Sequence, residues 1–146
     1  MSKFYLYYSL ICTISFTCAI FIFTFKYNRT DGGLWAAFAS VNSGICFYLY
    51  NIYIGNKLQN HFSLKYLNYL SVISFISCLV CIAFGIWYTF AIIYWKIPLS
   101  EYDRSLIFPC VFSFLSGKWG FHLHTATKKF MKEYTSFNYT PIIQNI

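Results

Sequence analysis

The fold is decided by residues 66–95, YLNYLSVISFISCLVCIAFGIWYTFAIIYW, a stretch in which no residue carries a charge. A helix rises about 1.5 Å per residue and the hydrocarbon core of a bilayer is about 30 Å thick, so about 20 apolar residues are enough to cross it. This stretch is longer than that, and we expect the helix to tilt or to protrude at one end. The stretch therefore predicts a transmembrane helix.

Three further apolar runs of similar length lie in the rest of the chain, at residues 4–25, 34–54 and 106–127. The links between the runs are short and polar, and a polar tail covers residues 128–146. Short links place consecutive helices antiparallel to each other. The sequence therefore predicts an all-α fold, a single domain that forms an integral membrane four-helix bundle.

The composition excludes an ordinary soluble domain. Apolar residues make up 58% of the chain and charged residues 10%, whereas soluble domains average about 25% charged residues. The net charge of +7 comes mostly from basic residues beside the apolar runs. We interpret these residues as contacts with anionic headgroups of the lipid bilayer, because no basic helix face predicts a nucleic-acid partner.

The distribution of basic residues predicts that the N- and C-termini are both cytosolic. With four spans, the N-terminus, the middle link and the tail share one side of the membrane. That side carries six lysines: Lys3, Lys57, Lys65, Lys128, Lys129 and Lys132. The other side carries four basic residues: Lys26, Arg29, Lys96 and Arg104. Cytosolic segments of membrane proteins carry the excess of lysine and arginine, so the richer side is assigned to the cytosol.

Neither catalysis nor a disulfide framework is predicted. The sequence contains no nucleotide-binding, hydrolase or metalloprotease motif. All four acidic residues lie outside the apolar runs, so the protein is predicted not to be an enzyme. The six cysteines lie within the apolar runs, and we interpret them, including Cys78 and Cys81, as small packing residues.

One charged residue, Lys118, lies inside an apolar run. A lysine at the centre of a membrane helix costs at least about 2.5–3.5 kcal/mol, so such a residue is typical of a functional site. His122 follows four residues later and lies on the same face of the helix. The alternative is that the stem of Lys118 extends toward the cytosolic interface and places its ammonium there.

A second face of the same helix carries only small residues: Ser113, Ser116, Gly117 and Gly120. Small residues at helical spacing let a neighbouring helix approach closely. This face therefore predicts a tight helix–helix contact.

A single imidazole or phenolate is enough for an axial bond to a heme iron. The candidates are His122 in the fourth run and Tyr48, Tyr50 and Tyr53 in the second. His122 and His124 are two residues apart and point to different sides of a helix, so they make a poor zinc pair. For each tyrosine, packing in the bundle or at the membrane interface is the alternative.

Residues 110–121, CVFSFLSGKWGF, are similar to the pattern C-V-x-S-F-x-S-x-K-W-x-F of the heme-responsive-gene family of four-span heme transporters. The glycine pair and leucine at residues 32–34 also agree with that family. In the tail, residues 126–130, ATKKF, resemble the family's aromatic-basic motif F-A-R-K-Y at Lys128, Lys129 and Phe130.

This resemblance implies that heme is a transported substrate, which moves into the cytosol from the extracellular space or an endolysosomal lumen. It implies a location in the plasma membrane or the endosome–lysosome membrane. Tyr48 or Tyr50 replaces the family's second-helix histidine, and His122 and Tyr48 are the predicted iron ligands. The predicted heme-binding residues are Tyr48, Tyr50, Lys118, His122, Lys128, Lys129 and Phe130.

Two further alternatives stay open at the level of the sequence. Assembly into a homo-oligomer is compatible with four spans of this kind. A non-transporting tetraspan scaffold, or an accessory membrane subunit, would also account for the aromatic residues and the small-residue face. That second function leaves Lys118 without a role.

Overall fold

The computed structural model describes residues 2–28, 30–55, 57–97 and 106–143. The helices are α1, Ser2–Phe21, continued by a π-helical turn at Ile22–Lys26; α2, Thr30–Ile54; the short α3, Leu58–His61; α4, Leu64–Tyr94; and α5, Ile107–Ile143. The predicted all-α class and four long helices are confirmed. Arg29 and Arg104, two of the basic residues used to predict the orientation, lie outside the described residues.

The ends of α1 and α4 follow from local backbone chemistry. Asn28, just after α1 and its π-helical turn, and Lys96, just after α4, both have a positive φ, of 48° and 47°. A residue in this left-handed region cannot continue a right-handed helix. At the other end of α4, the Ser63 side chain accepts a hydrogen bond from the Tyr66 backbone N–H at 3.4 Å and caps the helix.

The helices pack in the order α1, α2, α5, α4, so α2 and α5 occupy the middle of the molecule. The contact between α1 and α2 contains two pairs of hydroxyl groups. The hydroxyl oxygens of Thr13 and Ser43 are 2.9 Å apart, and those of Thr17 and Ser40 are 3.0 Å apart. Between α2 and α5, the Ser116 hydroxyl donates to the Trp35 carbonyl oxygen at 3.2 Å.

At the contact between α4 and α5, here called the α4–α5 seam, the backbones of the two helices lie close together. A Cβ atom added at Gly120 would lie 3.1 Å from the Ser74 carbonyl oxygen and 3.2 Å from the Cys78 backbone nitrogen. All four members of the predicted small-residue face are buried. Cys78 and Cys81 are buried free thiols on the α4 side of the seam. The predicted tight contact and the packing role of this cysteine pair are both confirmed.

Helix α5 continues well past residue 127, where the sequence predicts the end of the fourth span. It runs to Ile143 and includes most of the polar tail. Residues 126–134 contain no glycine or proline and include three lysines, one alanine, one methionine and one glutamate, all of which favour helix. The boundary at residue 127 therefore marks a change of polarity along one helix and is not a helix end.

The seam predicts opposite effects for alanine at two glycines. Gly120→Ala and Gly44→Ala both gain about 1 kcal/mol in helix propensity. The new Cβ at position 44 meets only Thr13 Cγ2, at 3.7 Å, which is an ordinary contact. At position 120 it meets the backbone of α4, which cannot move aside. We expect Gly44→Ala to leave the thermal unfolding midpoint unchanged or to raise it, and Gly120→Ala to lower it. Equal midpoints for the two variants would contradict the close approach of α4 at Gly120.

Candidate functional site

The aromatic rings of three helices meet at His122, in a group here called the His122 cluster. Its members are Tyr5 from α1, Tyr50 from α2, and Trp119 and His122 from α5. The centroid of the imidazole ring lies 5.1 Å from that of Tyr5, 6.1 Å from that of Tyr50 and 5.6 Å from that of Trp119. The Tyr5 and Tyr50 rings also stack on each other, with centroids 5.8 Å apart. The cluster therefore joins α1 to the central pair of helices.

The His122 imidazole carries an unsatisfied polar atom. Its Nε2 is buried and has no hydrogen-bond partner among the described residues. An unpaired buried polar atom typically costs about 1–3 kcal/mol, and most such atoms in proteins have a partner. The arrangement is therefore unfavourable for stability alone, which marks Nε2 as a candidate ligand atom.

Lys118 lies at the outer edge of the His122 cluster, and its side chain is exposed. Its Nζ donates a hydrogen bond to the Tyr8 hydroxyl at 3.3 Å and lies 5.8 Å from the centroid of the Tyr8 ring. The Tyr8 ring stacks on Trp119 at 5.4 Å, and Trp119 contacts His122. The ammonium is thus connected to the imidazole through two aromatic rings and is not enclosed at the centre of the bundle.

The structure separates the two tyrosines that the sequence left as alternatives. Tyr50 is 6% exposed and belongs to the His122 cluster. Tyr48 is 50% exposed, and its ring contacts Phe62 at 6.1 Å on a different side of α2. The structure therefore brings Tyr50, and not Tyr48, together with His122.

The predicted tail residues also divide into two groups. Phe130 is completely buried, stacks on Tyr53 at 4.4 Å and meets the edge of Tyr50 at 5.4 Å. Lys128 and Lys129 are exposed on the same turn of α5. Phe130 therefore extends the aromatic packing of the cluster, and the two lysines place positive charge at the surface beside it.

Sequence reasoning missed three contributors to this region: Tyr5, Tyr8 and Trp119. Tyr5 and Tyr8 are one turn apart in α1, which is the signal that could have placed them on one face. Their contacts with α5 join residues more than a hundred positions apart in the chain. Such contacts depend on how the helices are rotated, which hydropathy does not report.

His124 lies on another side of α5, as its spacing from His122 predicts. Its Nδ1 is 2.8 Å from the Ser71 carbonyl oxygen and 3.0 Å from the Ser71 hydroxyl oxygen. The centroid of its ring lies 5.1 Å from that of the Phe75 ring. His122 therefore faces α1 and α2, whereas His124 contacts α4.

A groove of about 640 Å³ lies between α2 and α4, and none of the predicted heme-binding residues lines it. Its walls are mostly apolar and include Leu34, Phe38, Ile76 and Val80. Across one end of the groove the Trp35 indole N–H donates to the Tyr88 hydroxyl at 3.2 Å. The candidate site at His122 is thus separate from this groove.

Within the described ranges, no group of three or more histidine, cysteine, aspartate or glutamate side chains could hold a metal ion. A bare zinc ion in a protein usually needs three or four such ligands. A heme iron already has four porphyrin nitrogens and needs one or two axial ligands.

Comparison with known proteins gives no match: no protein-family model, no curated protein and no solved structure matches this chain. The resemblance to the heme-responsive-gene family therefore stays a prediction from the residues that carry it.

The unpaired nitrogen predicts an unusual stability effect. His122→Phe keeps a ring beside Tyr5 and Tyr50 and removes the buried Nε2, so the free energy of unfolding should rise by about 1 kcal/mol or more. The matched control is His124→Phe, which loses the contact with Ser71 and should lower the free energy of unfolding. Thermal unfolding of the two purified variants measures both effects. Destabilisation by His122→Phe equal to that of the control would show that His122 has a structural role.

Proposed function

We propose that the protein is an integral membrane protein whose four long helices cross the bilayer with both termini in the cytosol. Two helical stretches, Lys3–Lys26 and Leu64–Tyr94, are long and apolar enough to cross a membrane. Only 17% and 28% of their most apolar windows are buried inside the fold. The core helix of a soluble protein would be mostly buried, so the exposure of these helices supports contact with lipid.

The surface of α4 carries the clearest evidence for lipid contact. Its exposed large apolar side chains are spread along nearly its whole length and include Ile73, Ile76, Ile86, Phe90 and Ile93. A soluble monomer rarely exposes a contiguous apolar surface of this extent. Lipid chains would cover this surface without a partner protein.

The small and hydroxyl-bearing residues of α2 and α5 fit the same arrangement. These two helices lie in the middle of the packing order, between α1 and α4. Their small and hydroxyl-bearing residues contact other helices, where a high hydropathy is not needed. A four-span bundle therefore accounts for the difference between the outer and central helices.

Within this bundle, the activity we propose is transport of heme into the cytosol, from the extracellular space or an endolysosomal lumen. The observation that carries the proposal is the buried, unpaired Nε2 of His122, whose ring lies beside the stacked rings of Tyr5 and Tyr50. Heme is a flat apolar molecule with two propionates and an iron that accepts an axial imidazole. Aromatic faces, an imidazole and a nearby cation are the groups that would bind it.

The residues divide into roles according to their positions. His122 would bind the iron through Nε2, with Tyr50 as an alternative oxygen ligand. Lys118, at the edge of the cluster, would pair with a propionate on the way to the cytosolic side. Lys128 and Lys129 extend the positive charge toward the tail, and the exposed Tyr48 is left at the surface of α2. Tyr48 is therefore the weaker candidate for an iron ligand.

The site is closed, because the imidazole nitrogen is buried and the neighbouring rings pack against the imidazole. Tyr5 or Tyr50 would have to turn aside before a porphyrin could reach His122. Such a site binds only transiently, which suits a transporter, since a substrate that binds too tightly is not released.

The second candidate function is a non-transporting scaffold or accessory membrane subunit. The observation that favours it is the dense packing of the His122 cluster, in which aromatic rings occupy the position that heme would take. This function requires neither the unpaired nitrogen of His122 nor the cation at Lys118. The two candidates therefore differ in what they predict for Lys118.

Lys118→Met distinguishes the two functions. It keeps a long side chain and removes the charge, so folding and insertion should be unchanged or improved. Heme uptake by a heme-auxotrophic cell should fall about tenfold or more, because the propionate loses its counter-charge in a low-dielectric path. Lys118→Arg should retain part of the uptake.

The control for this experiment is Lys65→Met, which removes an exposed charge near the start of α4, far along the chain from the cluster. It should leave heme uptake unchanged. Normal uptake by a well-expressed Lys118→Met variant would remove Lys118 from the mechanism. Absence of uptake by the unaltered protein would favour the scaffold.

A further inference from the structure

The contact between His124 and Ser71 favours one tautomer of the neutral imidazole. A carbonyl oxygen can only accept a hydrogen bond, and Nδ1 lies 2.8 Å from the Ser71 carbonyl oxygen. An unprotonated Nδ1 at that distance would bring two lone pairs together, so Nδ1 carries the proton and donates. In the neutral ring, Nε2 then carries the lone pair.

Ser71 holds this imidazole on a rigid support. Ser71 is buried in α4, and its carbonyl oxygen also accepts a hydrogen bond from the Ser74 hydroxyl at 3.0 Å. Histidines that bind metals through one nitrogen usually donate the other N–H to a carbonyl or carboxylate, which orients the ring and strengthens the ligand. His124 has this arrangement.

The surroundings of His124 suit a flat, anionic ligand. The partly exposed Phe75 ring lies 5.1 Å from the imidazole, with an angle of 42° between the ring planes. Phe121 and Lys128, both exposed, lie three residues before and four residues after His124, which is the spacing of one helix face. One imidazole, two aromatic side chains and one ammonium therefore lie on the same surface of α5 and α4.

We infer that His124 is an axial iron ligand in a second metalloporphyrin site, on the outer surface of the α4–α5 seam. The identity of the ligand rests on the function proposed above. The described residues do not supply the three or more ligands that a bare metal ion needs, whereas a metalloporphyrin brings four. The His124 Nε2 lone pair forms the iron–nitrogen bond and displaces the axial water or hydroxide of ferric hemin, with no change of oxidation state.

The two sites differ in how easily a ligand can reach the imidazole. At His122 the ligand nitrogen is buried and can be reached only after neighbouring rings move. At His124 the ring is only partly buried and is oriented in advance by Ser71. Hemin that is dissolved in the bilayer would therefore meet His124 first.

The test is a hemin titration of the purified full chain in lipid nanodiscs, followed by the Soret band and the magnetic circular dichroism of the ferric iron. The unaltered chain should bind two hemins. His124→Gly should bind one, and added imidazole should restore the second, because the free ligand fills the space of the missing ring. The control is His61→Gly, which removes an exposed histidine of the short helix α3 and should still bind two hemins.

The outcomes separate this inference from the proposed function. If the unaltered chain produces no Soret change, the proposed function is wrong and this inference fails with it. If the unaltered chain binds hemin and His124→Gly leaves both stoichiometry and spectrum unchanged, only the second site is wrong. Loss of a hemin in His124→Gly that imidazole does not restore would assign His124 a structural role and would also overturn the inference.

Discussion

The rest of the structure depends on the close approach of α4 and α5 at Gly120. At this point the backbone of α4 occupies the space where a side chain would stand, because Ser74 and Cys78 lie within 3.1–3.3 Å of an added Cβ. Successive residues of a helix are rotated by about 100°. With Gly120 held against α4, His124 is rotated by about 40° from the seam, and His122 points to the opposite side, toward α1 and α2. The seam thus determines where both histidines lie.

The two sides of α5 are packed in different ways, and this difference has functional consequences. On the α4 side, the backbones of α4 and α5 are in contact at glycine and serine residues. Little movement of one helix against the other is possible there. On the α1 side, the helices are held apart by large rings, and Tyr5, Tyr8 and Trp119 fill the space between them. Aromatic side chains can rotate without displacing a helix. A site that must open and close is therefore expected on the α1 side, and a preorganised ligand is expected beside the seam.

The sequence was sufficient to predict the four helices, because long apolar runs separated by polar links have few other structures available. It also predicted the small-residue face of α5 and the shared face of Lys118 and His122, since both follow from helical spacing within one element. It did not predict the length of α5, because polarity and helix formation are different properties of the segment after residue 127. It could not choose between Tyr48 and Tyr50, because that choice depends on how α2 is rotated against α5.

The contacts that matter most for the candidate sites were hidden from the sequence for the same reason. The ring of Tyr5 and the carbonyl of Ser71 come from helices that are distant in the chain from α5. Neither residue belongs to an unusual local sequence pattern, and each acquires its role only when the helices are packed. Local patterns identified His122 as a candidate ligand, whereas the unpaired state of its Nε2 became visible only in the packed bundle.

The most direct test of the central claim is hemin transport by this chain alone, reconstituted into sealed liposomes that contain a heme-binding acceptor protein. If the chain is a transporter, the Soret band of the internal acceptor should shift after external hemin is added, faster than in protein-free liposomes. The His122→Ala variant, folded and inserted to the same extent, should be close to the protein-free rate. Equal rates for the unaltered chain and for protein-free liposomes would contradict the account and leave the scaffold function.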